Sequence, residues 1–261
     1  MATPANAISS RKLKLEDILD LRAYERIREE SRAASIETKR KRRIGLGTVV
    51  TIMFENRQTM WYQIQEMIRS EKSMHDEQVM EELHAYNPLI PEPGQLSATL
   101  FIELTSEEQM REWLPKLVGI ESSMLIKLSD GTQVRCVTDE AHAEQLTRDY
   151  ITAAVHYIRF EFTPEQVELF ATGGAQLVCD HPAYGESIEL PAFTIAELLA
   201  DLRPYGAFVG LYWAKYANWH GCPMPFYSHP RGSSQHLAKG AVHGDSGCGV
   251  AQQRRLPRTR C

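Results

Sequence analysis

Residues 124–137, MLIKLSDGTQVRCV, set two apolar runs on either side of Asp130-Gly131. An Asp-Gly pair flanked by such runs is the strongest short-range hairpin signal, so Met124–Leu128 and Thr132–Val137 are expected to pair antiparallel. Working outward, Tyr150–Phe162 includes a long strand in which Phe160 and Phe162 alternate with polar neighbours. Leu177–Cys179 and Ser187–Leu190 read as strands pairing across the loop DHPAYGE, residues 180–186. Upstream, the β-branched run Thr48–Phe54 and the segment Leu96–Leu104 read as two more strands.

Helical periodicity fills the gaps between these strands. Leu15–Arg42 carries apolar spacing at Leu15, Ile18, Leu19, Tyr24 and Ile27, with a break expected near Leu21. It ends in Lys39, Arg40, Lys41, Arg42 and Arg43, cations that suit a helix C-terminus, and Gly45 and Gly47 are expected to stop it. Thr59–Glu71 places Met60, Trp61, Ile64, Met67 and Ile68 on one face, and Asp76–His84 is a second, shorter helix. Thr105 with Glu108, and Thr194 with Glu197, have capping-box spacing, and Thr163-Pro164 is an N-cap followed by a first-turn proline. Strands joined by hairpins and by single helices do not repeat as βαβ. The expected fold class is therefore α+β: an antiparallel or mixed sheet with helices packed mainly on one face, an N-terminal helical segment and an irregular C-terminal tail.

Composition bounds the function. The chain has 261 residues and a net charge of −5, which does not favour nucleic acid or anionic membrane as a partner of the whole molecule. No apolar run approaches the roughly 20 residues of a membrane span, and Met1–Ser10 lacks the apolar core of a secretory signal. A cytoplasmic location is expected. Five cysteines without close pairing read as reduced thiols rather than a disulfide framework.

Charge divides the chain unevenly. From Gly206 onward there are seven Lys or Arg and one acidic residue, while the remainder holds 22 basic and 33 acidic residues. Residues 232–261 show neither alternation nor a helical face. The expected organisation is a single domain over 11–203 and a tail over 204–261. The aromatic stretch 205–227 reads either as a docking segment or as sequence foreign to the fold, such as out-of-frame translation. The joint change in composition, charge and periodicity favours the second.

Several short motifs occur together in the body: Lys41-Arg42-Arg43, Phe54-Glu55-Asn56-Arg57, Gln63-Ile64-Gln65-Glu66-Met67, Tyr86-Asn87-Pro88-Leu89-Ile90-Pro91 and Leu96-Ser97-Ala98-Thr99-Leu100. With the Val155–Phe162 strand, the Asp180-His181-Pro182 turn, Tyr184 and the helix at Glu197-Leu198-Leu199, they resemble the bacterial domain of unknown function 3501 family over residues 13–202. The resemblance implies no established activity. Genes of that family stand beside those for rubrerythrin-like proteins and an iron–sulfur oxidoreductase subunit. This implies a non-enzymatic accessory or binding role with such a protein as partner.

Candidate chemistry lies first in Glu55, Asn56, Arg57, Gln65, Glu66 and Asn87. Carboxylate, carboxamide and guanidinium groups meeting in a cleft can orient a small polar ligand, and a buried carboxylate there can serve as general base, the enzyme alternative. The bland alternative is a buried polar network locking helix to strand, which is the commoner use of such clusters. The basic run Lys39, Arg40, Lys41, Arg42 and Arg43 raises a nucleic-acid regulator as a third class, against a solvated helix end. No metal is expected. Glu81 and His84 form one Glu-x-x-His where a di-iron site needs two, Asp180-His181 reads as a turn, and His220, Cys222 and His229 fall in the tail. Cys136 and Cys179 read as core residues rather than nucleophiles. No phosphate loop, dinucleotide fingerprint or nucleophile elbow occurs, so no cofactor is implied.

Overall fold

The structure, a computed structural model, describes residues 11–72, 75–138 and 151–203. The expectations for the tail, His220, Cys222 and His229 among them, lie outside these residues, as do those for Met1–Ser10 and Tyr150. Elements follow in the order α1 (Leu21–Arg42), β1 (Arg43–Leu46), β2 (Val50–Glu55), α2 (Arg57–Glu71), α3 (Asp76–Tyr86), β3 (Gln95–Ile102), α4 (Glu107–Lys116), β4 (Met124–Lys127) and β5 (Gln133–Thr138). They continue with β6 (Val155–Glu161), α5 (Pro164–Ala171), β7 (Gln176–His181), β8 (Tyr184–Glu189) and α6 (Ala192–Leu202). A short 3-10 turn, Leu15–Asp17, precedes α1, so the break near Leu21 is where the sequence places it.

The eight strands among the described residues form one sheet in the order β1-β2-β3-β6-β5-β4-β7-β8, and every neighbouring pair is antiparallel. The Asp130-Gly131 turn joins β4 to β5 with Leu125 opposite Arg135 and Ile126 opposite Val134. Gly131 sits at φ 92°, and Asp130 Oδ1 accepts from the Thr132 amide at 2.8 Å. The sheet curls until its two end strands nearly meet, giving an almost closed barrel. Side chains bridge that seam. The Tyr184 hydroxyl in β8 accepts from the amides of Thr48 and Val49 at 2.9 and 3.1 Å and donates to the Leu46 carbonyl at 2.7 Å. Gly47, at φ 66°, lets this happen: a Cβ there would lie 2.4 Å from the Tyr184 oxygen and 2.8 Å from Glu186 Cγ.

Among the described residues two apolar clusters form the core. The larger takes the inward residues of the strands, such as Ile52, Phe54, Leu100, Ile126, Phe160 and Leu177, with Phe170 of α5 and Leu198 of α6. The smaller lies around α2 and α3 and includes Leu13, Met60, Ile64, Ile68, Leu83 and Ile90, with Tyr157 of β6 packed against it. Helices thus contribute to both clusters, and packing mainly on one face does not describe the arrangement.

Helix α1 departs furthest from an ordinary amphipathic helix. Its fully buried residues are Tyr24, Ser35 and Arg42, on a stripe that also carries the partly buried Arg28, Ser31 and Lys39. Spacings near three and a half residues put these on one face. That face is polar, so hydrogen bonds and ion pairs do much of the docking.

Four local expectations need correction. β1 follows α1 directly, because Arg43–Leu46 alternates exposed and buried positions and pairs with Val50–Met53. The glycines therefore do not stop the helix; the chain turns straight into a strand. Ser106, not Thr105, caps α4 by accepting from the Gln109 amide. Thr194 lies inside α6 and gives its hydroxyl to the Lys41 carbonyl at 2.8 Å. The loop 180–186 is mostly strand, with the register running to His181 opposite Tyr184.

Candidate functional site

Glu55 closes β2 opposite Ser97, on the sheet face that also carries Thr99. Its side chain is buried, and its two oxygens accept from the hydroxyls of Thr59 at 2.6 Å and Thr99 at 2.9 Å. Burial pushes its pKa up, against the pull of those hydroxyls and of Lys39 and Arg42 farther off. Asn56 caps α2: its Oδ1 accepts from the Thr59 amide, and its own amide donates to Thr59 Oγ1, both at 2.9 Å. Glu55, Asn56, Thr59 and Thr99 are thus one connected group.

The other four candidates have separate tasks. Arg57 Nη2 lies 2.8 Å from Asp17 Oδ1, and nearby Trp61 Nε1 donates to the Asp17 carbonyl at 2.9 Å. Asn87 clamps Leu13 with two bonds, accepting from its amide at 2.8 Å and donating to its carbonyl at 2.9 Å. Both contacts pin the segment ahead of α1. Glu66, nine residues beyond Arg57 and so about 13 Å farther along α2, faces α1. It accepts from the Tyr24 hydroxyl at 2.7 Å and from Arg28 Nε and Nη2 at 2.8 and 2.9 Å. The Arg28 hydrogen bonds hold the Glu66 carboxyl below its ordinary range. Gln65 is buried beside it, and neither polar atom of its amide has a hydrogen-bond partner among the described residues.

The basic run disperses as well. Lys39 stands over the Tyr62 ring at 5.8 Å, Arg40 and Lys41 reach Glu37 at 3.0 and 3.9 Å, and Arg43 pairs with Glu103. Arg42 is 1% exposed, reaching Asp201 at 2.6 Å and Glu197 at 3.1 Å. Burial works against its charge, but the two carboxylates outweigh it and hold the guanidinium above its ordinary range.

The remaining chemistry-bearing residues are committed or exposed. Burial pushes the Cys136 thiol up to about 11 and raises that of Cys179, which disfavours the thiolate a nucleophile needs. His181 Nε2 lies 3.0 Å from the Val118 carbonyl and its Nδ1 accepts from the Ala183 amide, so both ring nitrogens are engaged by backbone. Glu81 and His84 are exposed on α3. No group of three or more potential metal ligands occurs among the described residues.

Beside Glu55, the β3–β6 ladder sets Ser97 opposite Arg159 and Thr99 opposite Tyr157. Ser97, Tyr157, Arg159 and Val137 line a half-open recess of about 20 Å³, with Pro88 and Leu89 as its other wall. That volume holds one water-sized group. Sequence reasoning passed over Ser97, Thr99, Tyr157 and Arg159. Their signal was the polar half of a period-two pattern on two strands that pair only in three dimensions.

A family model described as protein of unknown function, DUF3501, matches residues 12–202. The chain belongs to that family. The match bears out the resemblance read from the sequence. A solved crystal structure, described as a novel protein of unknown function from Burkholderia pseudomallei, is 35% identical with a TM-score of 0.67, covering 73% of this chain and 99% of its own. Among curated proteins none matches.

Proposed function

We propose that this DUF3501 member is a non-enzymatic accessory or binding protein, working in the cytoplasm beside an iron–sulfur oxidoreductase or a rubrerythrin-like protein. One observation supports the non-enzymatic part: the charged groups expected to carry chemistry close on internal partners. Glu66 is held by Tyr24 and Arg28, Arg57 by Asp17, and Arg42 by Asp201 and Glu197. A charge held in a fixed pair positions helices, and little of it remains to polarise a substrate. The free thiols Cys136 and Cys179 fit a reducing compartment. The partner class rests on the gene neighbourhood that the family resemblance implies.

Tagged protein purified from its native host after mild crosslinking tests the proposal. Recovery of the iron–sulfur subunit or the rubrerythrin-like protein above a tag-only control is the expected result. Repeated recovery of neither counts against it. A second reading, a small-molecule enzyme, is favoured by the raised pKa of Glu55, as a general base requires. A polar metabolite that stabilises the wild type but not Glu55→Gln would move the assignment there.

A further inference from the structure

We infer that the recess between the Asn87–Leu89 turn and the β3–β6 ladder binds the carboxylate head of a small monocarboxylate, whichever protein partner the chain has. Three features converge on that chemistry.

The first is an available donor. Ser97 is 4% exposed, its side chain shares the sheet face with Glu55 and Thr99, and its hydroxyl makes no hydrogen bond to a described residue. Its oxygen is not among the buried atoms that lack a partner, so it opens on the recess and can donate to an oxyanion there. The second is a half-used cation. Arg159 Nε is bound to Glu161 Oε1 at 3.0 Å, while its terminal nitrogens have no partner among the described residues. A guanidinium presents donors in a planar fork matched to a carboxylate, so those nitrogens can take an anion that the Glu161 contact does not occupy.

The third is shape. At about 20 Å³ the recess admits one water-sized group, such as one oxygen of a carboxylate head. The remainder of a ligand must lie outside, where the exposed Val137 offers apolar surface. A carboxylate head with a short aliphatic chain fits both parts. The frame is rigid, because Ser97 and Arg159 are direct partners in the ladder and the opposite wall follows Asn87, which is clamped to Leu13. Such preorganisation limits the ordering cost of binding. Glu55 stands next to Ser97 across β2, but its carboxyl is turned onto Thr59 and Thr99 and burial favours its neutral form, so it does not repel an incoming anion strongly.

Methyl-resolved NMR of the full chain, titrated with hexanoate and separately with hexanamide, tests the assignment. Hexanoate is expected to shift the Leu89 and Val137 methyl signals saturably, and hexanamide to leave them in place. Arg159→Gln is expected to weaken hexanoate binding about tenfold or more, as loss of a charge-assisted hydrogen bond would. Ser97→Ala is expected to weaken it by a smaller factor, and both variants should keep the wild-type spectrum elsewhere, since neither side chain is in an apolar cluster. No saturable shift with hexanoate at millimolar concentration overturns the assignment. So does an equal response to hexanamide, or undiminished binding in both variants.

Discussion

Arg42→Met is expected to lower the unfolding free energy by about 3–5 kcal/mol, the loss typical of removing one partner from a buried ion pair. The guanidinium reaches Asp201 at 2.6 Å and Glu197 at 3.1 Å, and Arg42 and Asp201 are both buried. Methionine fills much of the arginine volume, so most of the loss comes from Asp201, left in a site where burial already pushes its pKa up. The deficit should therefore shrink in acid. Without Arg42, the folded-state pKa of Asp201 rises further above its unfolded value. Stability then falls as pH climbs from the unfolded value towards the folded one, and returns as pH is lowered again. Arg42→Met combined with Asp201→Leu should regain a large part of the loss, because replacing both partners removes the stranded charge. Urea denaturation at neutral and acid pH checks both statements. A single-variant loss below about 1 kcal/mol, the range of an exposed pair, would show that the contact is a surface one.

Gly47→Ala is the second large effect, at the barrel seam. Two costs add. An L-residue in the left-handed region loses about 1–2 kcal/mol, and the new Cβ would stand 2.4 Å from the Tyr184 oxygen. Tyr184 must then move off the Thr48 and Val49 amides and the Leu46 carbonyl, three bonds worth about 1 kcal/mol each. A total of about 4–5 kcal/mol follows, which for a domain of this size is a fall of roughly 8–20 °C in Tm. Tyr184→Phe removes the bonds without the clash and should cost less. In that background Gly47→Ala should cost less than it does alone, since the two substitutions share the same loss. Strict additivity in thermal melts would separate the glycine from the tyrosine and contradict the seam.

Local chemistry made much of the fold readable. The Asp130-Gly131 hairpin and the Thr163-Pro164 helix start occupy the places their residues assign, because turn and cap geometry depends on neighbours in sequence. The rest depended on distant partners. Arg42 reads as one more cation at a helix end, and its burial becomes visible only when α6 brings Glu197 and Asp201 to it from about 155 residues away. Leu13 and Asn87 are 74 residues apart, so the clamp between them leaves no trace in spacing. β1 is only four residues long and starts where α1 ends, which leaves periodicity too little length to register. The candidate site shows the same division. Glu55 and Asn56 are adjacent in sequence and were legible together, whereas the Thr59 bonds to them went unread and Ser97, Tyr157 and Arg159 come from strands far apart in the chain.

The polar residues around α2 matter to this account mainly because they fasten α1 and the segment before it to the barrel. Hydrogen exchange on Glu66→Ala measures that directly. Loss of the Tyr24 and Arg28 contacts should raise exchange in α1 and leave β2, β3 and β6 as protected as in the wild type. Unchanged protection in α1, or a uniform loss across the barrel strands, would show that Glu66 does not hold the helix in place.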